Sequence, residues 1–90
     1  MERATIIVQG RVQGVWFRDY VKRSAIGLDL KGWVKNNSDG TVGAEVEGEK
    51  DVVEDLIELI KIGSPMSRVD DVLVEWIEAE NTFQEFKIIR

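Results

Sequence analysis

The stretch "VQGRVQGVWFRDYVKRSA", residues 8–25, begins with the pattern of a β-strand and ends with that of an α-helix. Upstream, apolar residues fall on one face of a strand over residues 3–9, namely Ala4, Ile6 and Val8. Downstream, apolar residues recur at helical spacing: Phe17, Tyr20, Val21, Ala25 and Leu28. Two glycines, Gly10 and Gly14, separate the two patterns. The stretch therefore predicts a strand, a short glycine-containing loop and a helix.

The remainder of the chain predicts a second helix and further strands. Strand patterns cover residues 30–36, 41–48, 70–78 and 83–90, and an amphipathic helix covers residues 49–63. The sequence "NSDG" between the second and third strands is typical of a turn and predicts an antiparallel hairpin. The order, β-α-β-β-α-β with an optional extra edge strand, predicts a ferredoxin-like α+β sandwich, with an antiparallel sheet and two helices on one face.

Patterns within these elements predict the direction of individual side chains. The third strand alternates between an inward and an outward set: Val42, Ala44 and Val46 against Thr41, Glu45 and Glu47. The second helix carries an apolar stripe on Val52, Val53, Leu56, Ile57 and Ile60. We expect Gly27 to lie just past the last residue of the first helix, the position at which glycine is favoured.

Length and composition limit the classes of protein to consider. Ninety residues predict a single domain, residues 1–90. The chain has no cysteine and no histidine, which excludes disulfides, thiolate metal sites and the nucleophilic triads that use histidine. A metal would have to be held by carboxylates alone, and we expect no metal and no cofactor. With neither a signal-peptide pattern nor a long apolar run, we expect a cytoplasmic protein without a membrane partner.

Charge is distributed unevenly along the chain. Residues 1–35 carry a net charge of +4 (seven Lys and Arg, three Asp and Glu), and residues 36–90 carry −9 (five and fourteen), which together give −5. The overall charge argues against a nucleic-acid partner, whereas the basic first part favours a small anion.

Charged residues make up 32% of the chain, which favours a heat-adapted source, and the single proline argues the other way.

Arg18 lies near the first turn of the predicted helix, where the helix dipole disfavours a cation by roughly 0.3–1 kcal/mol. A glycine-containing loop before a helix leaves backbone N–H groups that converge on an anion. If that anion is a phosphate, the Arg18 guanidinium binds two of its oxygens and the position is explained. The alternative is a simple turn, with Arg18 directed at Asp19 or at solvent.

Asn36 ends a predicted strand just before the turn. An amide there is suited to orienting a water molecule without a shifted pKa. The alternative is a purely structural asparagine that supports the turn through its side chain, which is the interpretation we give to the adjacent Asn37.

Three segments resemble the acylphosphatase family: "VQGRVQGVWFR", then "GWVKN" with "NSDGTV", and finally "GSPMSRVDDV". The resemblance covers essentially the whole chain. It implies a hydrolase that acts on a small acyl phosphate and releases a carboxylate and inorganic phosphate. It also implies that Arg18 binds the phosphate and that Asn36 positions the attacking water. The backbone phosphate cradle implied by the resemblance comprises Val12, Gln13, Gly14, Val15, Trp16 and Phe17. The variable Trp16 is expected at most to border the site and receives no chemical role.

The implied chemistry agrees with the composition. A carboxylate of low pKa leaves without a general acid, so a protein without histidine can perform the reaction. The competing function is a non-catalytic, anion-binding regulatory module on the same fold, which would bind phosphate without turnover. RNA binding is disfavoured because the third strand has no aromatic residue and several glutamates. We expect a monomer, and the sequence leaves open the physiological acyl phosphate and the residues that contact its acyl group.

Overall fold

The computed structural model describes all ninety residues, 1–90. Two helices and five strands follow one another in the predicted order. Their bounds are β1 (Glu2–Arg11), α1 (Phe17–Gly27), β2 (Lys31–Asn36), β3 (Val42–Gly48), α2 (Lys50–Ile62), β4 (Arg68–Glu78) and β5 (Phe86–Ile88). The ferredoxin-like order is confirmed, and the last segment supplies the extra edge strand.

The five strands form one sheet in the order β4-β1-β3-β2-β5. Every pair of neighbours is antiparallel except β2 and β5, which are parallel, so the sheet is mixed. The strand predicted over residues 83–90 is shorter than expected, because only residues 86–88 pair with β2. Residues 79–85 instead cross the sheet from the edge formed by β4 to the opposite edge.

The core lies between the sheet and the two helices. Alternate residues of β1 and β3 point into it and are almost fully buried, as are Val53, Leu56, Ile57 and Ile60 of the predicted stripe on α2. Tyr20 of α1 packs against this core and donates its hydroxyl to the Leu59 carbonyl of α2 at 2.6 Å. The two helices are thereby joined to each other as well as to the sheet.

Helix α1 ends differently from the prediction. Gly27 is its last helical residue, and the left-handed conformation is taken by Asp29, with φ 58°. The N–H groups of Leu28 and Asp29 still bond back to the Ser24 and Ile26 carbonyls, at 3.1 and 3.0 Å. Aspartate tolerates the left-handed region better than most residues, so the helix does not need glycine at this position.

β1 contains a bulge where it passes β4. The pairing of these strands shifts between Gln9 and Gly10. A Cβ atom on Gly10, which has φ 133°, would lie 2.1 Å from the Arg68 carbonyl oxygen. Gly10 is therefore part of the strand, and its absent side chain allows β4 to approach. It does not belong to the loop that follows.

Glu47, which the alternation of β3 places on the outward face, is nevertheless buried. Its side chain does point away from the helices, but residues 79–85 cover it, and only 3% of the residue is exposed. Its Oε2 atom accepts hydrogen bonds from Arg3 Nε at 2.7 Å and from the Glu80 backbone N–H at 2.8 Å. The Phe83 ring lies 4.4 Å from the Arg3 guanidinium carbon. The sheet is thus covered on part of its second face as well.

This ion pair shifts the pKa values of both partners. Burial by itself would raise the pKa of Glu47 and lower that of Arg3. The hydrogen bonds from the Glu80 N–H and from Arg3 hold the pKa of Glu47 below its usual value, and Glu47 raises the pKa of Arg3. A lowered carboxyl pKa contributes stability that is present above the ordinary value of 4.5 and lost as the pH falls through the folded-state value.

Glu47→Gln should lower the free energy of unfolding by roughly 3 kcal/mol at neutral pH, because Arg3 stays buried after losing its main counter-charge. Urea denaturation between pH 3 and 7 measures this. The difference between the wild type and the variant should shrink as the pH falls from about 4.5 towards the lowered pKa of Glu47 in the folded protein, because over this range the unfolded chain takes up a proton that the folded protein does not. Glu54→Gln, at an exposed position on α2 without an ion pair, is the control. A difference that stays constant across this pH range would contradict the assignment.

Candidate active site

The loop between β1 and α1 is held in place by three of its apolar side chains. Val12, Val15 and Phe17 are 1%, 5% and 1% exposed and belong to the hydrophobic core. With these side chains directed inward, Gly14 and Trp16 are the exposed residues of the loop. The loop therefore presents its backbone and the side chain of Trp16 to solvent.

The backbone N–H groups of Val12–Trp16 make no hydrogen bond within the protein. Gly14 and Trp16 have φ 72° and 64°, so the loop passes through the left-handed region twice before α1 begins at Phe17. Turns of this kind gather successive N–H groups into a concave anion site. The loop thus carries five unused donors next to the positive end of a helix dipole.

Arg18 is the second residue of α1 and is only partly exposed. Its guanidinium makes no ion pair and no side-chain hydrogen bond. No ion pair joins Arg18 to Asp19, and Asp19 Oδ2 accepts from Arg23 Nε at 2.9 Å, one turn further along the helix. Arg18 therefore keeps all of its donors.

A cavity of about 530 Å³ opens in front of this loop and brings together several of the predicted residues. Its lining consists of Val12, Gly14, Trp16, Phe17, Arg18, Asp19, Ile88 and Arg90. Three predicted residues lie outside this lining: Gln13, Val15 and Asn36. Ile88, from the edge strand β5, was not predicted, because its position follows from the parallel pairing with Val34.

Asn36 and Asn37 differ sharply in their contacts. Asn37 Nδ2 donates to Thr41 Oγ1 at 3.0 Å within the turn, which confirms its structural role. The Oδ1 atom of Asn36, the last residue of β2, is buried and has no hydrogen-bond partner in the protein. An unpaired buried oxygen is costly to stability, so it is a feature expected of a group reserved for a ligand or a water.

The turn after Asn36 is closed by hydrogen bonds to the Asp39 side chain. The Asp39 carboxylate accepts from the Thr41 hydroxyl at 2.7 Å and from its N–H at 3.0 Å. Hydrogen bonding by Thr41 holds the pKa of Asp39 below its usual value. The turn presents two backbone carbonyls, those of Asn37 and Thr41, to the neighbouring loop.

Gln13 joins the loop to this turn, a role that sequence reasoning missed. Its Nε2 atom donates to the carbonyls of Asn37 and Thr41, at 2.8 and 2.9 Å. The predicted contribution of Gln13 was a backbone N–H, and nothing in the local pattern distinguishes its side chain from an exposed loop amide. The side chain fixes the loop beside Arg18 relative to the strand end that carries Asn36.

The whole chain was compared with known proteins. The acylphosphatase family model matches residues 4–88. The chain belongs to the acylphosphatase family. An acylphosphatase from Pyrobaculum aerophilum is 46% identical over 90 residues, covering 99% of this chain and 95% of that protein. The crystal structure of acylphosphatase from Bacillus subtilis superposes with a TM-score of 0.97 at 40% identity and covers all of both chains.

The family assignment confirms the function expected from the sequence: an acylphosphatase, which is a hydrolase acting on acyl phosphates. Nothing in the comparisons favours the regulatory module. The chain is also similar to 12% of the HypF protein of T. kodakarensis, with a TM-score of 0.85 and 35% identity.

Three further observations describe the surroundings of the site in this acylphosphatase. Ser64, which is 6% exposed, directs its hydroxyl at the Val15 carbonyl at 3.4 Å, so the connection from α2 to β4 packs behind the loop. No group of three or more acidic side chains is placed to hold a metal ion. Neither helix is long and apolar enough to span a bilayer.

Gln13→Ala should lower the free energy of unfolding by about 1–2 kcal/mol and weaken the binding of inorganic phosphate, because the loop loses its two bonds to the turn. Urea denaturation and phosphate titration by calorimetry measure the two effects. Gln13→Glu, which keeps the size but removes the donor, should resemble Gln13→Ala. Gln9→Ala, at an exposed amide on β1, should change neither quantity. If Gln13→Ala bound phosphate as tightly as the wild type, the positioning role would be wrong.

Proposed function

We propose that this acylphosphatase binds the phosphoryl group of its substrate with Arg18 and the loop amides, and that Asn36 positions the attacking water. The observation that carries the proposal is the juxtaposition of unused donors: Arg18 lines one cavity together with Val12, Gly14 and Trp16, three of the five loop residues whose N–H groups are unpaired. The Arg18 guanidinium and the N–H groups of Val12–Trp16 have no partners within the protein, although such groups normally find them.

The reaction needs positioning and charge stabilisation more than proton transfer. Water attacks phosphorus as the bond between phosphorus and the carboxylate oxygen breaks. One proton of the water passes to a phosphoryl oxygen, so an acyl phosphate dianion and water give a carboxylate and a dihydrogen phosphate ion. The donors of Arg18 and of the loop face the charge that develops on the equatorial oxygens. The Oδ1 atom of Asn36 accepts a hydrogen bond from the water and fixes its direction of attack.

The magnitudes favour a cation at Arg18 once a phosphate is bound. A unit-charge pair at 4 Å is worth about 4 kcal/mol before desolvation, at an effective dielectric constant of 20. The unfavourable interaction with the helix dipole costs roughly 0.3–1 kcal/mol. Arg18 therefore lowers the stability of the protein slightly when no phosphate is bound. Its attraction to a bound phosphate more than offsets this cost.

The remaining properties follow from the same set of observations. We propose that residues 1–90 act as one monomeric, cytoplasmic domain, which its charged composition supports. We further propose heat adaptation, supported by the low content of asparagine and glutamine and by the Pyrobaculum relative. No cofactor or metal takes part in the proposed mechanism.

Arg18→Ala should fold normally and lower kcat/KM for benzoyl phosphate by about a thousandfold or more, because the main counter-charge to the phosphoryl oxygens is lost. Hydrolysis is followed by ultraviolet absorbance with EDTA present throughout. Arg11→Ala, which removes an exposed cation outside the cavity, is the control for a general effect of charge. Equal losses in both variants would contradict a specific role. Inactivation by EDTA would contradict the metal-free mechanism.

Asn36→Ala should lower kcat by about a hundredfold, because the water is no longer aligned, while the inhibition constant of inorganic phosphate stays unchanged. Its stability should not fall, since the substitution removes a buried oxygen without a partner. Asn37→Ala is the matched control and should show the reverse pattern, with normal kcat and lower stability. Weaker phosphate binding with unchanged kcat in Asn36→Ala would overturn the assignment.

Phosphate binding without turnover by the wild type would support the regulatory module.

A further inference from the structure

Trp16 combines a strained backbone with an exposed side chain. The residue has φ 64°, in the left-handed region that large side chains avoid, and 78% of its surface is exposed. Neither burial nor a hydrogen bond of its side chain to the helix end compensates for this conformation. Strained residues of this kind persist mainly at functional sites.

Trp16 lines the same cavity as Arg18, together with Asp19 and Arg90. At about 530 Å³, the cavity lies within the range of roughly 300–1,000 Å³ that is typical of pockets for drug-sized ligands. A phosphoryl group alone fills only a small part of this volume. The rest is lined in part by Ile88, an aliphatic side chain that is 37% exposed at the edge of the sheet.

The geometry of phosphoryl transfer indicates which part of the substrate occupies the rest of the cavity. Attacking and leaving oxygens lie on opposite sides of phosphorus during phosphoryl transfer. Asn36, which holds the water in the proposed function, lies outside the cavity lining, whereas Trp16 and Ile88 are part of it. The open cavity is therefore the space for the leaving acyl group.

We propose that Trp16 and Ile88 form an apolar subsite for the acyl portion of the substrate, so that the enzyme prefers acyl phosphates with an aromatic or extended aliphatic acyl group over those with a small one. This inference rests on the proposed function and adds a specificity-determining role for Trp16. The other strongly exposed apolar side chains, such as Ile26 and Ile62, lie outside the cavity and take no part.

The test compares benzoyl phosphate with acetyl phosphate, which share the reacting group and differ in the acyl portion. Trp16→Gly should lower the ratio of their kcat/KM values roughly 3- to 10-fold, the scale of one aromatic contact. Asparagine tolerates the left-handed backbone and can cap the helix, so the loop of Trp16→Asn should be stiffer than that of Trp16→Gly. Trp16→Asn should nevertheless lower the ratio of kcat/KM values by the same factor. Trp16→Phe should retain most of the preference. Ile62→Ala, at an exposed apolar residue outside the cavity, should leave the ratio unchanged.

Two further measurements separate the ways in which the test can fail. Calorimetric binding of benzoylphosphonate and acetylphosphonate gives the same comparison without turnover, so failure of hydrolysis by the wild type would count against the proposed function alone. Thermal unfolding of Trp16→Gly should show no loss of stability, because the backbone strain is relieved. An unchanged preference in both Trp16→Gly and Trp16→Asn, for substrates and for phosphonates, would overturn the subsite.

Discussion

The site depends on how the loop between β1 and α1 is held: its apolar side chains pack into the core, while its backbone N–H groups form no hydrogen bonds within the protein. Val12, Val15 and Phe17 are buried in the core that both helices share. Because this loop is fixed by packing, its N–H groups remain unpaired in one place without needing a hydrogen-bond network of their own. Gln13 adds the one polar restraint, by binding the turn after β2. The rest of the proposed mechanism requires only that Arg18 and Asn36 keep their places around it.

Much of this arrangement was predictable, because local patterns determine it. Strict alternation and helical spacing identified the elements, and an arginine in an unfavourable position at a helix start pointed to the phosphate site that we propose. The burial of Glu47 was not predictable, since it depends on residues 79–85, which have no periodic pattern and cross the sheet only in the folded protein. The parallel pairing of β5, and with it the position of Ile88, follows from the same crossing.

Asn36 and Asn37 show where sequence patterns stop being informative. Two adjacent residues of the same type have opposite environments, one with an unpaired buried oxygen and one bonded within the turn. The difference arises because successive residues at a strand end point to opposite faces of the sheet.

Trp16 illustrates a related principle: sequences depart from the locally favoured residue mainly where a site requires it. The resemblance to a family identified the position but gave it no role.

The position of β4 at the edge of the sheet has a consequence for the behaviour of this protein at high concentration. An edge strand of eleven residues leaves a row of unpaired backbone groups that can add a strand from another molecule. β4 also exposes Leu73 and Ile77, which makes such an addition more favourable. Carboxylates are spread along β4, at Asp70, Asp71, Glu75 and Glu78. If two copies paired along this edge, their like charges would lie close together and repel each other. The carboxylates along β4 thus oppose fibrillar self-assembly through this edge of the sheet.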